Sequence, residues 1–393
     1  MRDMDIFGTG TLAADVAIVG GGVIGLTIAR ALNDSRARVA ILERGEKAGA
    51  ESSSAAAGML APQAEADSAD IFFELACASR DLYQSFAASL REETGIDIEL
   101  ERSGTLYLAF TDEDVREIEK RFQWQKRAGL SVEKLTSEEA RRLEPCISPH
   151  VRAALRFPLD TQVENRLLVD ALAASIANPR VQLLTGITVK AVRINAGQVE
   201  GLETSEGFMR APIVVLASGA WTTLIEARDA AIDKDNTPPL QIEPVRGQML
   251  CYKTERAFAR HVLYSPRGYL VPRLNLRVLA GSTTERAGFD KRVTDEGVRA
   301  ITAHAQEIAR DSINAMKLFE TWAGLRPHAR DSLPVIGAAT DRQGLYYATG
   351  HYRNGILLAP ITGQLIADLI VKNVASPLLQ GFSPDRFRYA NAC

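Results

Sequence analysis

The chain lacks a strong charge of one sign, paired cysteines and a long apolar run free of glycine. Its 46 Lys and Arg nearly balance 49 Asp and Glu, for a formal charge of −3 and a pI near 6.1. That balance offers no electrostatic reason to expect nucleic acid or an anionic membrane as a partner. The four cysteines, Cys77, Cys146, Cys251 and Cys393, include no C-x-x-C pair, so inert or buried thiols in a reducing cytosol are expected. No metal-binding set is expected. The first 14 residues contain Arg2, Asp3 and Asp5 but no apolar h-region. They read as a loosely ordered tail rather than a secretory signal, and the protein as soluble and cytoplasmic. The apolar run from Val16 to Leu32 is interrupted by four glycines and splits into a strand and a helix, so it does not read as a membrane span. No internal repeat or low-complexity tract is evident.

What is present is concentrated first between Asp15 and Glu43. Val16 to Val19 is a short apolar run suited to a buried parallel strand. Gly20, Gly22 and Gly25 then complete G-x-G-x-x-G at the turn into a helix that carries Val23 and Ile24. The first glycine permits the tight turn, the second lets backbone approach a pyrophosphate, and the third lets helix pack on strand. The helix start presents N–H groups and a positive dipole end to phosphate. A second strand, Arg38 to Leu42, leads into Glu43, 18 residues after Gly25, about where an acid reaches a dinucleotide ribose. This much specifies a dinucleotide and leaves open which one.

Further on, Ser52 to Pro62 is a loop of small residues. It reads either as backbone and hydroxyls crowding a ligand or as a flexible linker. Helices are expected over Ile71 to Leu90, Asp112 to Arg127, from the capping box Thr136 to Glu139, and over Glu164 to Ala177. Strands are expected at Gly104 to Phe110, Leu155 to Phe157, Val181 to Leu184, Thr188 to Ile194, Gln198 to Thr204 and Ile213 to Ala217. The last of these runs into a glycine turn at Ser218 and Gly219. A β-rich region follows, with strands at Arg246 to Tyr252, Gly268 to Pro272 and Val278 to Thr283 and one long helix, Asp295 to Asp311. A closing helix starts near Gly355. At 393 residues and 46% hydrophobic content, the chain is large enough for two domains. Nucleotide-binding pieces at the start, middle and end imply that they are discontinuous.

Five motifs then occur in order: G-x-G-x-x-G with Glu43, Ser53-Ser54-Ala-Ala-Ala-Gly-Met-Leu60, Ala217-Ser-Gly219, Gly324-Leu-Arg326-Pro, and Gly350-His-Tyr-Arg353-Asn-Gly355-Ile-Leu-Leu-Ala-Pro360. Together they resemble the D-amino-acid-oxidase superfamily of FAD enzymes, and within it the glycine oxidases of thiamine biosynthesis, over about Asp15 to Ile370. The resemblance implies an α/β fold: a Rossmann-like, glutathione-reductase-like FAD-binding domain and a substrate domain of antiparallel sheet plus helix. The expected division is 1–87, 150–224 and 325–393 for the first, and 88–149 with 225–324 for the second.

By the same resemblance the cofactor is FAD. Its contacts fall to Gly20, Gly22, Val23, Ile24, Gly25, Glu43, Arg44, Ser53, Ser54, Ala57, Gly58, Met59, Val189, Ser218, Gly219, His351, Arg353, Asn354, Gly355, Ile356 and Leu357. No cysteine lies between Thr321 and Gly355, where the related sarcosine oxidases attach flavin, so noncovalent binding is expected. The helix starting near Gly355 would aim its N-terminal N–H groups at the flavin and stabilise its reduced anion.

The implied substrate is a small amino acid such as glycine, with oxygen as acceptor, in a homotetramer by analogy. Arg326 is the expected carboxylate fork, with Tyr269 as a hydroxyl donor and Arg353 orienting or gating. The competing readings are a salt-bridged structural Arg326, a core aromatic Tyr269, and an Arg353 whose backbone alone matters. His351 is expected to be local structure, since hydride transfer from a neutral amine needs no base. His328 and Thr284 depart from the family pattern; the first is expected at the pocket entrance or the surface, the second as a more polar pocket residue. Two other functions fit the motifs: a D-amino-acid dehydrogenase passing electrons to a quinone, and a non-catalytic FAD-binding subunit. The absence of a basic amphipathic helix or an apolar anchor speaks against the former.

Overall fold

The structure, a computed structural model, describes residues 13–229 and 240–389. Most of the N-terminal tail and Cys393 lie outside them. Val16–Val19 is central in a six-stranded sheet, parallel to Val39–Leu42 on one side and Ile213–Leu216 on the other. Val181–Leu184 and Leu345–Thr349 extend it in parallel, and Val335–Ala338 closes one edge antiparallel.

The apolar runs of the central strands have a simple cause: both faces of the sheet are covered. Val16, Ile18, Val39 and Ile41 pack with the helices Val23–Ala31, Ile71–Thr94, Asn165–Ser175 and Gly355–Lys372. Ala17, Val19, Ala40 and Leu42 face a four-stranded sheet built from Gly207–Arg210, Gln198–Thr204, Val189–Asn195 and Glu226–Asp229. Gly355–Lys372 is long and apolar enough to cross a membrane, but here it is a core helix packed on Val23–Ala31 and Ile71–Thr94. Its approach to the first helix is close. A Cβ on Gly363 would lie 2.6 Å from Thr27 Cγ2.

The second body is an eight-stranded sheet in the order Lys317–Ala329, Ile242–Lys253, Arg277–Gly281, Gly268–Pro272, Val262–Ser265, Thr105–Ala109, Ala153–Phe157, Glu133–Thr136. Its pairs are antiparallel except Val262–Ser265 with Thr105–Ala109. Along Gly268–Pro272, buried throughout, the side chains alternate between two covered faces. Leu270 packs under the helix Asp295–Ala315, while Tyr269 and Val271 join Met249, Leu279 and Ala57 on the face turned to the first body. Ala153–Phe157 pairs into this sheet rather than into the parallel one.

The helices run close to expectation, with ends set by local chemistry. Ile71–Thr94 starts where Asp70 accepts the Phe73 N–H at 2.8 Å and stops at Gly95, whose φ of +74° takes a left-handed turn. Thr111 and Thr136 each form the reciprocal capping box.

The two bodies are joined where the small-residue loop meets the eight-stranded sheet. The Ser52 hydroxyl donates to the Leu325 carbonyl, and Trp322 Nε1 donates to the Ala55 carbonyl at 3.1 Å. Buried Arg273 donates to the carbonyls of Ala57 and Val163, both at 2.7 Å. The loop is therefore clamped on both sides and is not a flexible linker.

Candidate active site

A cavity runs between the bodies, from the ends of the parallel strands to the inner face of the eight-stranded sheet. Gly20, Gly22, Val23, Ile24, Glu43, Arg44, Ser53, Ala57, Gly58, Met59, Val189, Ser218, Gly219, Tyr269, Arg326, His351, Arg353, Gly355 and Ile356 all line it. Residues separated by more than 300 positions in sequence are thus brought to one surface.

At the strand end the walls are backbone. Gly20 has φ +110°, and a Cβ there would stand 2.6 Å from the Ala217 carbonyl oxygen; one on Gly25 would stand 2.0 Å from the Gly20 oxygen. A Cβ on Gly22, by contrast, would meet only Ser53 Oγ, at 3.3 Å, so this is where the chain leaves room for a ligand. Gly22 caps the helix without a side chain, and Val23 N–H donates to Ser53 Oγ at 3.0 Å. Glu43 is fixed by accepting the Gly21 N–H at 2.8 Å and the Gly45 N–H at 2.7 Å. Each carboxylate oxygen keeps a further acceptor site for a ribose hydroxyl. A side-chain-free helix N-terminus beside an anchored carboxylate fits the pyrophosphate and ribose of a dinucleotide. The second helix start, at Gly355 and Ile356, also opens on the cavity without a side-chain cap.

Four expected contacts are not in the lining. Gly25 serves helix–strand packing. Ser54 turns its hydroxyl to the Gly49 carbonyl, and its own carbonyl accepts from Asn165 Nδ2 at 3.1 Å, so it fastens the loop. Asn354 is the helix N-cap, and Leu357 is 2% exposed on the buried side of that helix. Ser53 and Ser54 are adjacent, yet only the first faces the cavity, because successive side chains of a helix point about 100° apart.

At the opposite end the walls are side chains. The Arg326 guanidinium donates to the Thr283 carbonyl at 2.9 Å and to Ser282 Oγ at 2.8 Å. It rests against Gly247 of the neighbouring strand, where a Cβ would lie 2.2 Å from Arg326 Nη2. Among the described residues Arg326 forms no ion pair, so it is not a salt-bridged structural arginine. Desolvation lowers its pKa below the ordinary arginine value, an effect that an entering carboxylate would oppose. The Tyr269 hydroxyl reaches Met249 Sδ at 3.3 Å. Arg353 pairs with Glu65 at 3.8 Å and donates to Tyr264 Oη at 3.3 Å; Glu65 is the main reason its pKa is raised.

His351 is buried, with Nε2 3.1 Å from Thr362 Oγ1, and burial lowers its pKa to about 3. It is a neutral wall residue. His328 lies behind the lining, edge-on to Tyr352 with ring centroids 4.7 Å apart. Thr284 is exposed and outside the lining, so it is no pocket residue. Its neighbours Ser282 and Thr283 are the ones that touch Arg326. Burial raises the thiol pKa of Cys77 to about 11 and of Cys146 to about 12, in keeping with inert thiols.

Sequence reasoning missed Glu65, Gly247, Met249, Trp221 and Tyr352, all in the lining. Trp221 lies just beyond the Ala217–Gly219 motif and Tyr352 inside the last one, so both were within reach. Glu65 and Gly247 carry no local signal, because their roles depend on Arg353 and Arg326 arriving from distant segments.

Known proteins agree with this geometry. The family model described as FAD dependent oxidoreductase matches residues 15–369. The chain is 38% identical over 375 residues to glycine oxidase of Geobacillus kaustophilus, covering 95% of this chain and 97% of that protein. The crystal structure of that species' glycine oxidase superposes with a TM-score of 0.89 at 36% identity, covering 96% of this chain and 99% of that one. The bifunctional protein ThiO/ThiG of Synechocystis is 34% identical over 95% of this chain, which spans 54% of its length. L-proline dehydrogenase from P. horikoshii superposes with a TM-score of 0.83 at 25% identity, covering 96% of this chain and 98% of that one.

Proposed function

Starting from the fact that the chain belongs to the FAD-dependent oxidoreductase family, we propose that it oxidises glycine, and with it sarcosine and small D-amino acids. It is an FAD-dependent amino acid oxidase, related to the ThiO proteins. In this reading it is a cytoplasmic enzyme supplying the thiazole branch of thiamine biosynthesis, assembled as a homotetramer. The observation that carries the substrate class is Arg326: a guanidinium at the cavity wall, held by a carbonyl and a hydroxyl and in no ion pair among the described residues.

When bound, FAD accepts the hydride from the substrate α-carbon and passes two electrons to oxygen, so that an imine, then glyoxylate or another oxo acid with ammonia, and hydrogen peroxide are formed. Gly20, Gly22 and the helix start at Val23 hold the pyrophosphate, Glu43 the ribose, and Val189 borders the adenine end. Gly355 and Ile356 face the flavin end. No cysteine lines the cavity among the described residues, which supports noncovalent binding. Segments 1–87, 150–224 and 325–393 hold the cofactor, and 88–149 with 225–324 close the substrate end, with the strand Ala153–Phe157 lent to the substrate-side sheet.

Arg326 takes the substrate carboxylate through its fork, and Tyr269 adds a hydroxyl. Two fixed donors leave the α-carbon little rotational freedom, which is the main service the protein renders to a hydride transfer. Arg353, tethered to Glu65 by a long ion pair, stands at the mouth and orients the entering substrate. Neutral His351 takes no proton. Side-chain size is the remaining filter, because Met59, Met249 and Tyr352 share the wall.

The test is a panel of glycine, sarcosine, D-alanine and D-proline, read by anaerobic bleaching of the flavin band and then by peroxide on admitting air. Bleaching by glycine followed by rapid reoxidation is expected. Bleaching without reoxidation in air would convert the assignment to a dehydrogenase, the activity for which the P. horikoshii relative is named. No bleaching by any of the four would remove the amino acid assignment.

A further inference from the structure

The helix Gly355–Lys372 contains a proline in its first turns, Pro360. Proline has no N–H, so the carbonyl four residues earlier, that of Ile356, loses its intrahelical donor, and the ring pushes that carbonyl aside. Ile356 lines the cavity and is the second residue of this helix. A buried carbonyl without a donor is costly. Here the donor comes from another helix: the hydroxyl of Tyr83, on Ile71–Thr94, donates to the Ile356 carbonyl. Tyr83 is only 1% exposed, and burial raises its pKa, so the phenol stays protonated and keeps its donor.

The next rung is treated the same way. Ser79, one helical turn before Tyr83 and fully buried, donates its hydroxyl to the Leu357 carbonyl at 2.6 Å and accepts the Ile361 N–H at 3.4 Å. Its oxygen therefore stands between the donor and acceptor of one helical hydrogen bond, the kind of insertion that bends a helix. Two side chains from one neighbouring helix thus engage two consecutive rungs directly behind the helix start that opens on the cavity, Tyr83 replacing the donor of one and Ser79 bonding both groups of the other.

We infer that Tyr83, with Ser79, is a positioning residue for the reaction: it fixes the direction of the first turn at Gly355 and Ile356, and so the field that the flavin end of the cofactor meets. The inference rests on the reading above that this helix start faces the flavin. A helix N-terminus favours negative charge within its first turn, and its effect falls off steeply with distance and angle. A reoriented first turn therefore stabilises the reduced, anionic cofactor less. Pro360 creates the need for Tyr83, and the two are coupled through one carbonyl.

The experiment measures the flavin midpoint potential of the purified holoenzyme by dye equilibration for wild type, Tyr83→Phe, Pro360→Ala and the double variant. Tyr83→Phe is expected to make reduction harder by about tenfold in the reduced-to-oxidised ratio, which is about 30 mV for a two-electron couple. The rate of flavin reduction at saturating substrate falls in step, with KM little changed. In the Pro360→Ala background residue 360 has an N–H for the Ile356 carbonyl, and the Tyr83→Phe shift is expected to shrink to a small fraction. An unchanged potential in Tyr83→Phe, or an equal shift with and without Pro360, overturns the inference. If Tyr83→Phe does not accumulate folded, Ser79→Ala carries the same expectation of a lowered potential, and an unchanged value there overturns it equally. A wild-type protein that binds no FAD would sink the cofactor reading itself, which the absorption spectrum shows before any variant is made.

Discussion

The two ends of the cavity are built from different materials. At the parallel-strand end the walls are backbone and small residues: Gly20, Gly22, the N–H of Val23 held by Ser53, and one anchored carboxylate. At the eight-stranded sheet they are long side chains, Arg326, Tyr269 and Arg353, standing on separate strands or loops. Backbone sites tolerate almost no added volume but need few specific side chains. Side-chain sites tolerate change in shape and fail when one functional group is lost. The first kind suits a cofactor that is always the same molecule, the second a substrate to be selected.

The sharpest way to break the first end is Gly25→Val. Its Cβ would begin 2.0 Å from the Gly20 carbonyl oxygen, and backbone cannot yield as a flexible side chain would. The expected outcome is loss of FAD and a destabilisation of about 3 kcal/mol or more, read as flavin absorbance per protein and the denaturant midpoint. Retention of full flavin content would refute the cradle. The matching break at the other end is Arg326→Ala, which should leave flavin content intact while raising the glycine requirement about 100-fold, as expected for losing charged hydrogen bonds worth about 1.5–3 kcal/mol each. If FAD is lost as well, the two ends are not separable as described.

Next in size is a pH effect. His351 has its pKa lowered to about 3 by burial, below the unfolded value of about 6.5. Between those values the unfolded chain binds the extra proton, so stability is full above about pH 6.5 and falls as pH drops toward 3. His351→Asn should flatten that acid limb in urea titrations at about pH 4.5 and about pH 7.5, on either side of the unfolded value, without adding or removing a pKa in the kcat profile. A lost kinetic pKa would instead make His351 a proton carrier.

Two smaller changes sharpen the contrast. Tyr269→Phe removes one neutral hydroxyl, and a several-fold rise in KM is expected, corresponding to about 1 kcal/mol. Ser53→Ala removes the acceptor of the Val23 N–H, at a cost of about 1 kcal/mol, seen as weaker FAD retention with an unchanged substrate response. The reverse pattern in either variant would place that residue at the wrong end.

Legibility followed the same division. Gly20 to Glu43 could be read because its parts are local: a tight turn, a close approach and an acid at a set distance are all specified within one βαβ unit. Arg326 and Arg353 were found only because each lies in a contiguous motif. Their partners were not. Glu65 sits in a four-residue helix and Gly247 inside an ordinary strand, and neither pattern distinguishes them from surface or core. Ser54 and Leu357 were expected to touch the cofactor on the strength of their neighbours, and Thr284 was expected in the pocket. One step along a helix, or along an exposed turn, puts a side chain in another direction.

The sequence by itself therefore determined the glycine turn with its acid, the order of most strands and helices, and the family to which the chain belongs. Those depend on short-range periodicity, glycine positions and caps, whose physical reasons act within a few residues. Only the tertiary structure decided that Arg326 has no ion-pair partner among the described residues, that Glu65 pairs with Arg353, and that Tyr83 supplies the donor Pro360 removed. Each joins residues from distant segments of the chain, and what a charge or a carbonyl needs there depends on which group the fold places against it.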